Sequence, residues 1–167
     1  MTTTKMSHEI NCDEETFWKL FLDKEFNEKL YKEGLGFPEW SIIEQTETDS
    51  EVRRKTAGKP KMTNVPGPVA KLMGDSFRYT EVGSMDKKAR VWKYKLTPSV
   101  MADKIRQEGT VTIAPAGPGK VKRNVELIIE AKIFGIGGMV ESSTDKSLRD
   151  GWDASAKFMN KWIEEHK

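Results

Sequence analysis

The sequence has little of the chemistry that marks metal or disulfide proteins. Among its 167 residues are one cysteine, Cys12, and only two histidines. A lone cysteine excludes an internal disulfide, and no Cys, His or carboxylate spacing suits a metal site. No apolar run approaches the roughly 18 residues that cross a bilayer, and the first eleven residues lack the apolar stretch of a signal peptide. The sequence therefore predicts a cytoplasmic protein without a metal or a cofactor.

Two glycine-rich segments resemble phosphate-binding loops but lack essential parts of them. Residues 135–138 precede a predicted helix, as in a dinucleotide-binding turn, but Val140 takes the place of the third glycine and no strand follows the helix. Residues 115–120 lack the Lys-Ser or Lys-Thr pair of a nucleotide-binding loop. We therefore expect a close approach of helix and strand at residues 135–138 and a hairpin turn at residues 115–120.

Alternating apolar residues predict a largely antiparallel sheet. The first strand is expected at residues 4–11, and Asp13 is typical of the N-cap of a helical pair that runs to about Lys32. Six further strands are expected at residues 40–46, 51–56, 76–82, 89–96, 107–114 and 121–133, with a turn at residues 83–88. The segment 65–74 predicts a short helix beginning near Pro68. The whole chain, 1–167, is predicted to form one domain, with residues 1–3 as a disordered tail.

The last predicted element, residues 136–164, is a helix about 40 Å long at 1.5 Å per residue. Its less polar face steps by three and four residues. That face comprises Gly137, Glu141, Thr144, Leu148, Trp152, Ser155, Met159 and Trp162. Only the concave side of the sheet is broad enough to cover such a face. We therefore predict an α+β fold, in which a curved antiparallel sheet of about seven strands wraps around this C-terminal helix.

The order of these elements resembles that of a known superfamily. One strand, two short helices, six strands and a long terminal helix is the order of the helix-grip fold of START-like (SRPBCC) proteins. These include the birch-pollen allergen, polyketide cyclases and lipid-transfer START domains. Residues 66–74, 92–98 and 133–141 are further similar to an uncharacterised bacterial START-like family. The resemblance implies a hydrophobic cavity between sheet and helix, and a protein that binds and transports a lipid-like ligand.

The inward positions of the predicted elements supply the candidate ligand contacts. These are His8, Trp92, Tyr94, Leu127, Ile129, Glu141, Thr144, Leu148 and Trp152. Most are apolar or aromatic, so they suit a packed core as well as a cavity wall. His8 could orient a ligand or act as a base, or its hydrogen bonds could be satisfied structurally. Because an unpaired buried carboxylate is costly, Glu141 is expected either at a wet cavity mouth or beside an inward-facing Arg90 or Arg123.

A gate is predicted at one end of this cavity. Val69, Leu72 and Met73 form an apolar plug between two glycines in segment 65–74. Residues 51–132 are net basic while the ends of the chain are net acidic, and Lys59, Lys61 and Lys71 flank the plug. These lysines predict a transient contact with an anionic membrane surface. No nucleic-acid-binding motif is present, so nucleic acid is excluded as the expected partner.

Two alternatives to ligand binding remain open at this point. One is a cyclase- or hydrolase-type enzyme that acts on a hydrophobic substrate with His8 and Glu141 as acid and base. The other is a protein-partner-binding module whose core is filled. Ligand binding is favoured because the predicted inner faces are mostly apolar, and no residue is assigned a catalytic role.

Overall fold

The computed structural model describes residues 1–62 and 64–167. Seven antiparallel strands form one open sheet in the order β1-β7-β6-β5-β4-β3-β2, and the long helix α4 lies along its inner face. The strands are β1 (Thr2–Ile10), β2 (Glu39–Glu47), β3 (Glu51–Lys59), β4 (Tyr79–Asp86), β5 (Val91–Pro98), β6 (Ile105–Pro115) and β7 (Val121–Ala131). The helices are α1 (Glu14–Phe21), α2 (Lys24–Lys29), α3 (Gly67–Met73) and α4 (Gly137–Glu165), and a π-helical turn (Leu30–Gly34) extends α2. The predicted helix-grip architecture is confirmed.

Two local predictions differ from the structure. Thr2 and Thr3 are not a disordered tail, because they pair with Ile129 and Ile128 of β7. The β4–β5 turn lies at residues 87–90 and not at 83–88, so β4 continues through Asp86. The Asp86 carboxylate accepts the backbone N–H groups of residues 88 and 89, and Arg90 has a left-handed φ of 54°. The turn signal is therefore the Asp86 side chain, which mimics a backbone turn.

Helices α1 and α2 each begin after an aspartate N-cap, and the first of these, Asp13, was predicted. The side chains of Asp13 and Asp23 each accept a backbone N–H three residues later, at 2.8 Å, which satisfies donors that a helix start leaves free. The apolar residues that follow, Phe17, Trp18 and Phe26, are buried in the main core. These two helices therefore cover one end of the inner face of the sheet.

Helix α4 packs mainly on one side of the sheet. Its close backbone contacts are with β1, β7, the π-helical turn and α3. Side chains fix it to β1, because the Asn160 amide donates to Glu9 O at 3.0 Å and the Thr4 hydroxyl donates to Asp145. Ser155 and Met159 are buried, and Leu148 and Trp162 pack half-buried against the main core, so the predicted packing face is confirmed. Because α4 lies over β1 and β7, it covers the middle strands β4 and β5 less closely.

Glycines at inward positions let aromatic rings lie close to the sheet. A Cβ on Gly83 would stand 2.1 Å from Trp92 Cζ2, and one on Gly109 would stand 2.8 Å from the Tyr94 hydroxyl. Gly58 is similar, with the Tyr79 hydroxyl at 2.8 Å. The rings therefore occupy the space that side chains at these three positions would fill.

The short helix α3 closes the other end of the domain. Val69 and Met73 are buried against Ala131 and Val140 in a second, smaller core, and Leu72 is half-buried beside them. The predicted helix and its apolar plug are thus present, while the gating role stays a prediction. Within the described residues, no helix has the length and apolar character needed to span a membrane.

Candidate functional site

The carboxyl group of Glu81 lies deep on the inner face of the sheet. Glu81 points inward from the centre of β4, in register between Thr56 of β3 and Leu96 of β5. Burial raises the pKa of Glu81 to about 7, and the nearby charge of Arg54 opposes this only in part. The side chain nevertheless keeps accessible surface, being half-buried. A carboxyl group that is strongly desolvated and still accessible is a candidate for contact with a bound molecule.

Arg54 of β3 is the cation whose charge acts on the Glu81 carboxyl group. It is only 5 % exposed, and its Nη1 donates to Phe21 O at 2.7 Å. The guanidinium group lies over the rings of Phe21 and Trp92 at 5.1 and 5.0 Å from their centroids. Burial lowers the pKa of Arg54, and its Nε is buried without a partner. Within residues 1–62 and 64–167, no salt bridge under 4.0 Å joins Arg54 to Glu81.

Three tyrosine hydroxyls complete the group around Glu81. Burial is the main cause that raises the pKa of Tyr31, Tyr79 and Tyr94, and the charge of Glu81 adds to each rise. All three phenols are therefore neutral at physiological pH and available as hydrogen-bond donors. The Tyr31 ring is held by stacking on Trp40, with ring centroids 4.4 Å apart. We refer to Tyr31, Arg54, Tyr79, Glu81 and Tyr94 as the inner polar cluster.

A second buried arginine explains the position of His8. Arg123 of β7 is 2 % exposed, and its Nη2 donates to Trp152 O at 2.8 Å and to His8 Nδ1 at 3.1 Å. His8 Nε2 lies 2.6 Å from Asp153 Oδ1. Because the arginine donates to Nδ1, the imidazole proton sits on Nε2 and points at Asp153. Both ring nitrogens of His8 are thus engaged within the protein, and its contact with a ligand stays a prediction.

Arg123 also has fewer hydrogen-bond acceptors around it than its guanidinium group could bind. Burial lowers the pKa of Arg123 to about 10, and electrostatic interactions with Tyr31 and Asp153 oppose this. Its guanidinium carbon lies 4.8 Å from the centroid of the Trp152 ring, and its Nε is buried without a partner. The inner face therefore holds two guanidinium groups whose hydrogen-bonding capacity is incompletely used.

Glu141 does not pair with either predicted arginine. The Thr2 hydroxyl donates to its Oε1 at 2.8 Å, and the Ala131 backbone N–H donates to its Oε2 at 3.1 Å. Burial acts to raise the pKa of Glu141, but these hydrogen bonds lower it overall. Arg90 lies in the exposed β4–β5 turn, 3.5 Å from Glu14, so its predicted inward position is wrong. Glu141 is instead a satisfied carboxylate that joins α4 to the ends of β1 and β7.

The proposed acid–base pair of His8 and Glu141 is also wrong. Glu141 contacts Thr2, which is six residues before His8 on the same strand. At 3.3 Å per residue this separation is about 20 Å. The two side chains are therefore far beyond hydrogen-bond reach of each other.

The remaining predicted contacts fall into two groups. Trp92, Leu127 and Ile129 are 1 %, 0 % and 0 % exposed, so they are packed core in this structure, and their contact with a ligand stays a prediction. Leu148, Trp152 and Thr144 are half-buried on α4. The Trp152 indole lies beside the buried Tyr94 hydroxyl and opposes the rise of the Tyr94 pKa. The structure thus brings Tyr94 and Trp152 together at the inner polar cluster.

Most of the inner polar cluster was missed at the level of sequence. The available signal is that Glu81 shares its side of a strand with Phe77 and Tyr79, while Arg54 shares its side with Val52 and Thr56. A charged residue on an otherwise apolar or aromatic side of a strand is unusual, because burial of an ionised group is costly. Tyr31 gives no such signal, since it follows α2 in a π-helical turn.

Two grooves lie on the outer face of the sheet. One, of about 480 Å³, runs over the small outward residues Ser41, Ala57, Thr80 and Thr97. The other, of about 410 Å³, lies over β5, β6 and β7 and is bordered by outward residues including Lys95 and Glu126. Both are open. Neither is lined by Glu81 or Arg54, although Tyr79 of the inner polar cluster lines the first groove and Tyr94 lines the second.

Comparisons with known proteins agree with this architecture. The chain matches the family described as "Protein of unknown function (DUF2505)" over residues 5–163. A search of the curated proteins gives no match. Among solved structures, a START superfamily protein from Mycobacterium smegmatis is 17 % identical, with a TM-score of 0.59 and 99 % of both chains covered.

Two enzymes of known structure are also similar in fold. The ZhuI aromatase/cyclase from Streptomyces sp. R1128 is 10 % identical with a TM-score of 0.65, covering 97 % of this chain and 95 % of that one. Norcoclaurine synthase from Thalictrum flavum, in complex with dopamine and hydroxybenzaldehyde, is 16 % identical with a TM-score of 0.66, covering 99 % and 89 %. At these identities the structural matches establish the helix-grip fold of START-like proteins. Because the family match spans nearly the whole sequence, the chain belongs to the DUF2505 family.

Proposed function

We propose that the protein binds a hydrophobic small molecule between the inner face of the sheet and α4, with the polar group of that molecule at the inner polar cluster. The supporting observation is Glu81, which is deeply desolvated, still accessible and unpaired within the described residues. Buried polar groups in folded proteins are almost always hydrogen-bonded. An accessible cluster that leaves such groups unsatisfied is typical of a ligand site.

The surroundings of the inner polar cluster suit an apolar molecule. Leu96 lies beside Glu81 on the inner face, and Leu148 and Trp152 face the sheet from α4, all three half-buried. The structurally similar norcoclaurine synthase was solved with two small aromatic molecules, and the similar ZhuI protein is an aromatase/cyclase. These relatives support a small hydrophobic ligand, carried or transported, as the favoured function of this chain. Catalysis on such a ligand is the alternative.

Filling the proposed space is expected to weaken the binding of an apolar probe. Leu96→Trp adds an indole next to Glu81, so affinity for a naphthalene sulfonate dye should fall at least tenfold in a fluorescence titration. Val82→Trp is the matched control, because Val82 is the next residue after Glu81, faces outward and is 42 % exposed. Equal dye binding by both variants and the parent would contradict the proposed site. It would favour the hypothesis of a filled core that binds a protein partner.

We propose that ligand enters past α3 at an anionic membrane surface. Phe134, in the loop between β7 and α4, is completely exposed, and Met139 at the start of α4 is 43 % exposed. The neighbouring Ile133 and Ile136 pack half-buried against the core that contains the plug of α3. Lys61 and Lys71 are exposed and Lys59 is half-buried, which gives the cationic flank that an anionic headgroup would attract.

Vesicle flotation should separate the contributions of charge and apolar contact. Binding to vesicles with anionic lipid should exceed binding to neutral vesicles and should weaken as salt rises. Charge reversal of Lys59 and Lys61 should reduce binding at least tenfold, since each lysine near the surface contributes about 1 kcal/mol. Phe134→Ser should also reduce it, whereas Ile43→Ser, at a residue 54 % exposed on the edge strand β2, should not. Equal binding to neutral and anionic vesicles would contradict the membrane proposal.

A further inference from the structure

The balance of charge on the inner face points to the chemistry of the ligand. Arg54 and Arg123 are both at least 95 % buried, and each has a buried Nε without a partner. Within the described ranges 1–62 and 64–167, neither guanidinium has a carboxylate within 4.0 Å. Arg123 reaches Asp153 only through His8, and Glu81 is the carboxyl group that acts on Arg54. The site therefore carries an excess of buried positive charge.

This excess discriminates between the possible polar groups of a ligand. An ammonium group would add a third cation to a poorly solvated site, which is strongly unfavourable. A neutral hydroxyl would leave the guanidinium charge uncompensated. A carboxylate can accept hydrogen bonds from a guanidinium and from phenol hydroxyls at once, and charge-assisted hydrogen bonds of this kind are the stronger class. The three neutral tyrosines of the inner polar cluster supply such hydroxyls.

We propose that the ligand is an apolar carboxylic acid whose carboxylate is held by Arg54 and the tyrosine hydroxyls beside a protonated Glu81, so that binding takes up a proton onto Glu81. This inference rests on the proposed function, since it assigns the polar group of the molecule bound in that space. Two carboxylates in contact cannot both remain ionised in a desolvated site. Proton uptake by Glu81 is the way in which the protein accepts the second one.

The pH dependence follows from the groups that face Glu81. They are Arg54 of β3, Tyr79 of its own strand, Tyr94 of β5 and Tyr31 of the π-helical turn. The charge of Arg123 of β7 in turn acts to lower the pKa of Tyr31. In the free protein the pKa of Glu81 is about 7. Below this pH the required proton is already present. Above it, affinity for the acid should fall by up to tenfold per pH unit, because binding must first take a proton from solvent.

Three probes of equal chain length test the charge preference. Decanoate, decanol and decylamine are titrated against the dye-loaded protein at pH 6 and pH 8. We expect decanoate to bind at least tenfold more tightly than either other probe at pH 6, and to lose about tenfold in affinity at pH 8. Calorimetry at pH 8 in phosphate and in Tris should show uptake of close to one proton per decanoate. Tighter binding of decanol or decylamine, or binding of decanoate without proton uptake, would overturn this inference.

Variants of Glu81 and Arg54 test which residue causes the proton uptake and which causes the preference for the acid. Glu81→Gln should abolish both the pH dependence and the proton uptake, because glutamine is neutral at every pH tested. Arg54→Met should remove the preference for decanoate over decanol, while Arg106→Met, at an exposed arginine paired with Glu108, should retain it. Persistence of proton uptake in Glu81→Gln would refute the role of Glu81 even if Arg54→Met fails to fold. If none of the three probes binds the parent, the proposed function itself is wrong; if they bind without preference for the acid, only this inference is wrong.

Discussion

Glu81→Gln is expected to stabilise the protein by about 3 kcal/mol at pH 8 and by little at pH 4.5. Burial raises the pKa of Glu81 from 4.5 to about 7, and a rise of that size corresponds to about 3 kcal/mol. Between these two values the folded state holds the proton more tightly than the unfolded state does. The free energy of unfolding of the parent therefore falls as pH rises from 4.5 to 7 and is level above that. Glutamine avoids the desolvated charge, so the difference between variant and parent grows over the same interval.

Urea unfolding at pH 4.5, 6 and 8 measures this effect. Glu126→Gln is the control, since Glu126 is an exposed carboxylate on the outer side of β7, and it should give no comparable gain. A Glu81→Gln protein that is less stable than the parent at pH 8 would show that the carboxylate has partners, and the site assignment would be wrong. The expected gain in the free energy of unfolding equals the stability that the parent loses by having glutamate at position 81. Such a loss is common for groups retained at binding sites.

Gly83→Ala is expected to destabilise the protein by up to about 3 kcal/mol, the upper end of the usual cost of overpacking. The added Cβ would lie 2.1 Å from Trp92 Cζ2 and 2.5 Å from Cε2. The indole cannot easily move away, because Trp92 is 1 % exposed and packs edge-to-face on Phe21 with ring centroids 5.2 Å apart. A displaced Trp92 would also disturb the ring that lies beneath the Arg54 guanidinium.

Thermal or urea unfolding of two alanine variants provides the comparison. Gly151 lies within α4, and a Cβ there would meet no atom within 4 Å. Gly151→Ala should therefore stabilise the protein by about 1 kcal/mol through helix propensity. A Gly83→Ala protein as stable as the parent would mean that the inner layer has more room than the close approach of Trp92 to Gly83 implies.

The fold was predictable because each element carries a local pattern. The three- and four-residue spacing through Leu148, Ser155, Met159 and Trp162 identified α4, and Asp13 identified the start of α1. The β4–β5 turn was misplaced because Gly83 was interpreted as a turn residue. In the structure this glycine makes room for Trp92 from the neighbouring strand. Such a cross-strand contact depends on register, which a single strand does not encode.

The site was harder to predict than the fold. Glu141 and His8 stood out as polar residues on apolar faces, yet hydrogen bonds from Thr2, Ala131 and Arg123 satisfy both of them. Glu81 appears in the sequence as one charged residue in a short strand. Its importance arises only when four elements, β3, β4, β5 and the π-helical turn, bring Arg54 and three tyrosines around it without pairing its carboxylate. Whether a buried polar group is satisfied is a property of tertiary structure, and it is this property that separates the structural residues from the candidate site.

The most direct test of a ligand space beside Glu81 is a crystal structure with a bromine-labelled ten-carbon probe, either the alcohol or the acid, whichever binds more tightly. Anomalous diffraction locates the bromine independently of the protein model. We expect bromine density between α4 and the inner face of β4 and β5, with the polar end of the probe at Glu81 and Arg54. Bromine found only in the grooves of the outer face, with the inner polar cluster closed, would contradict it.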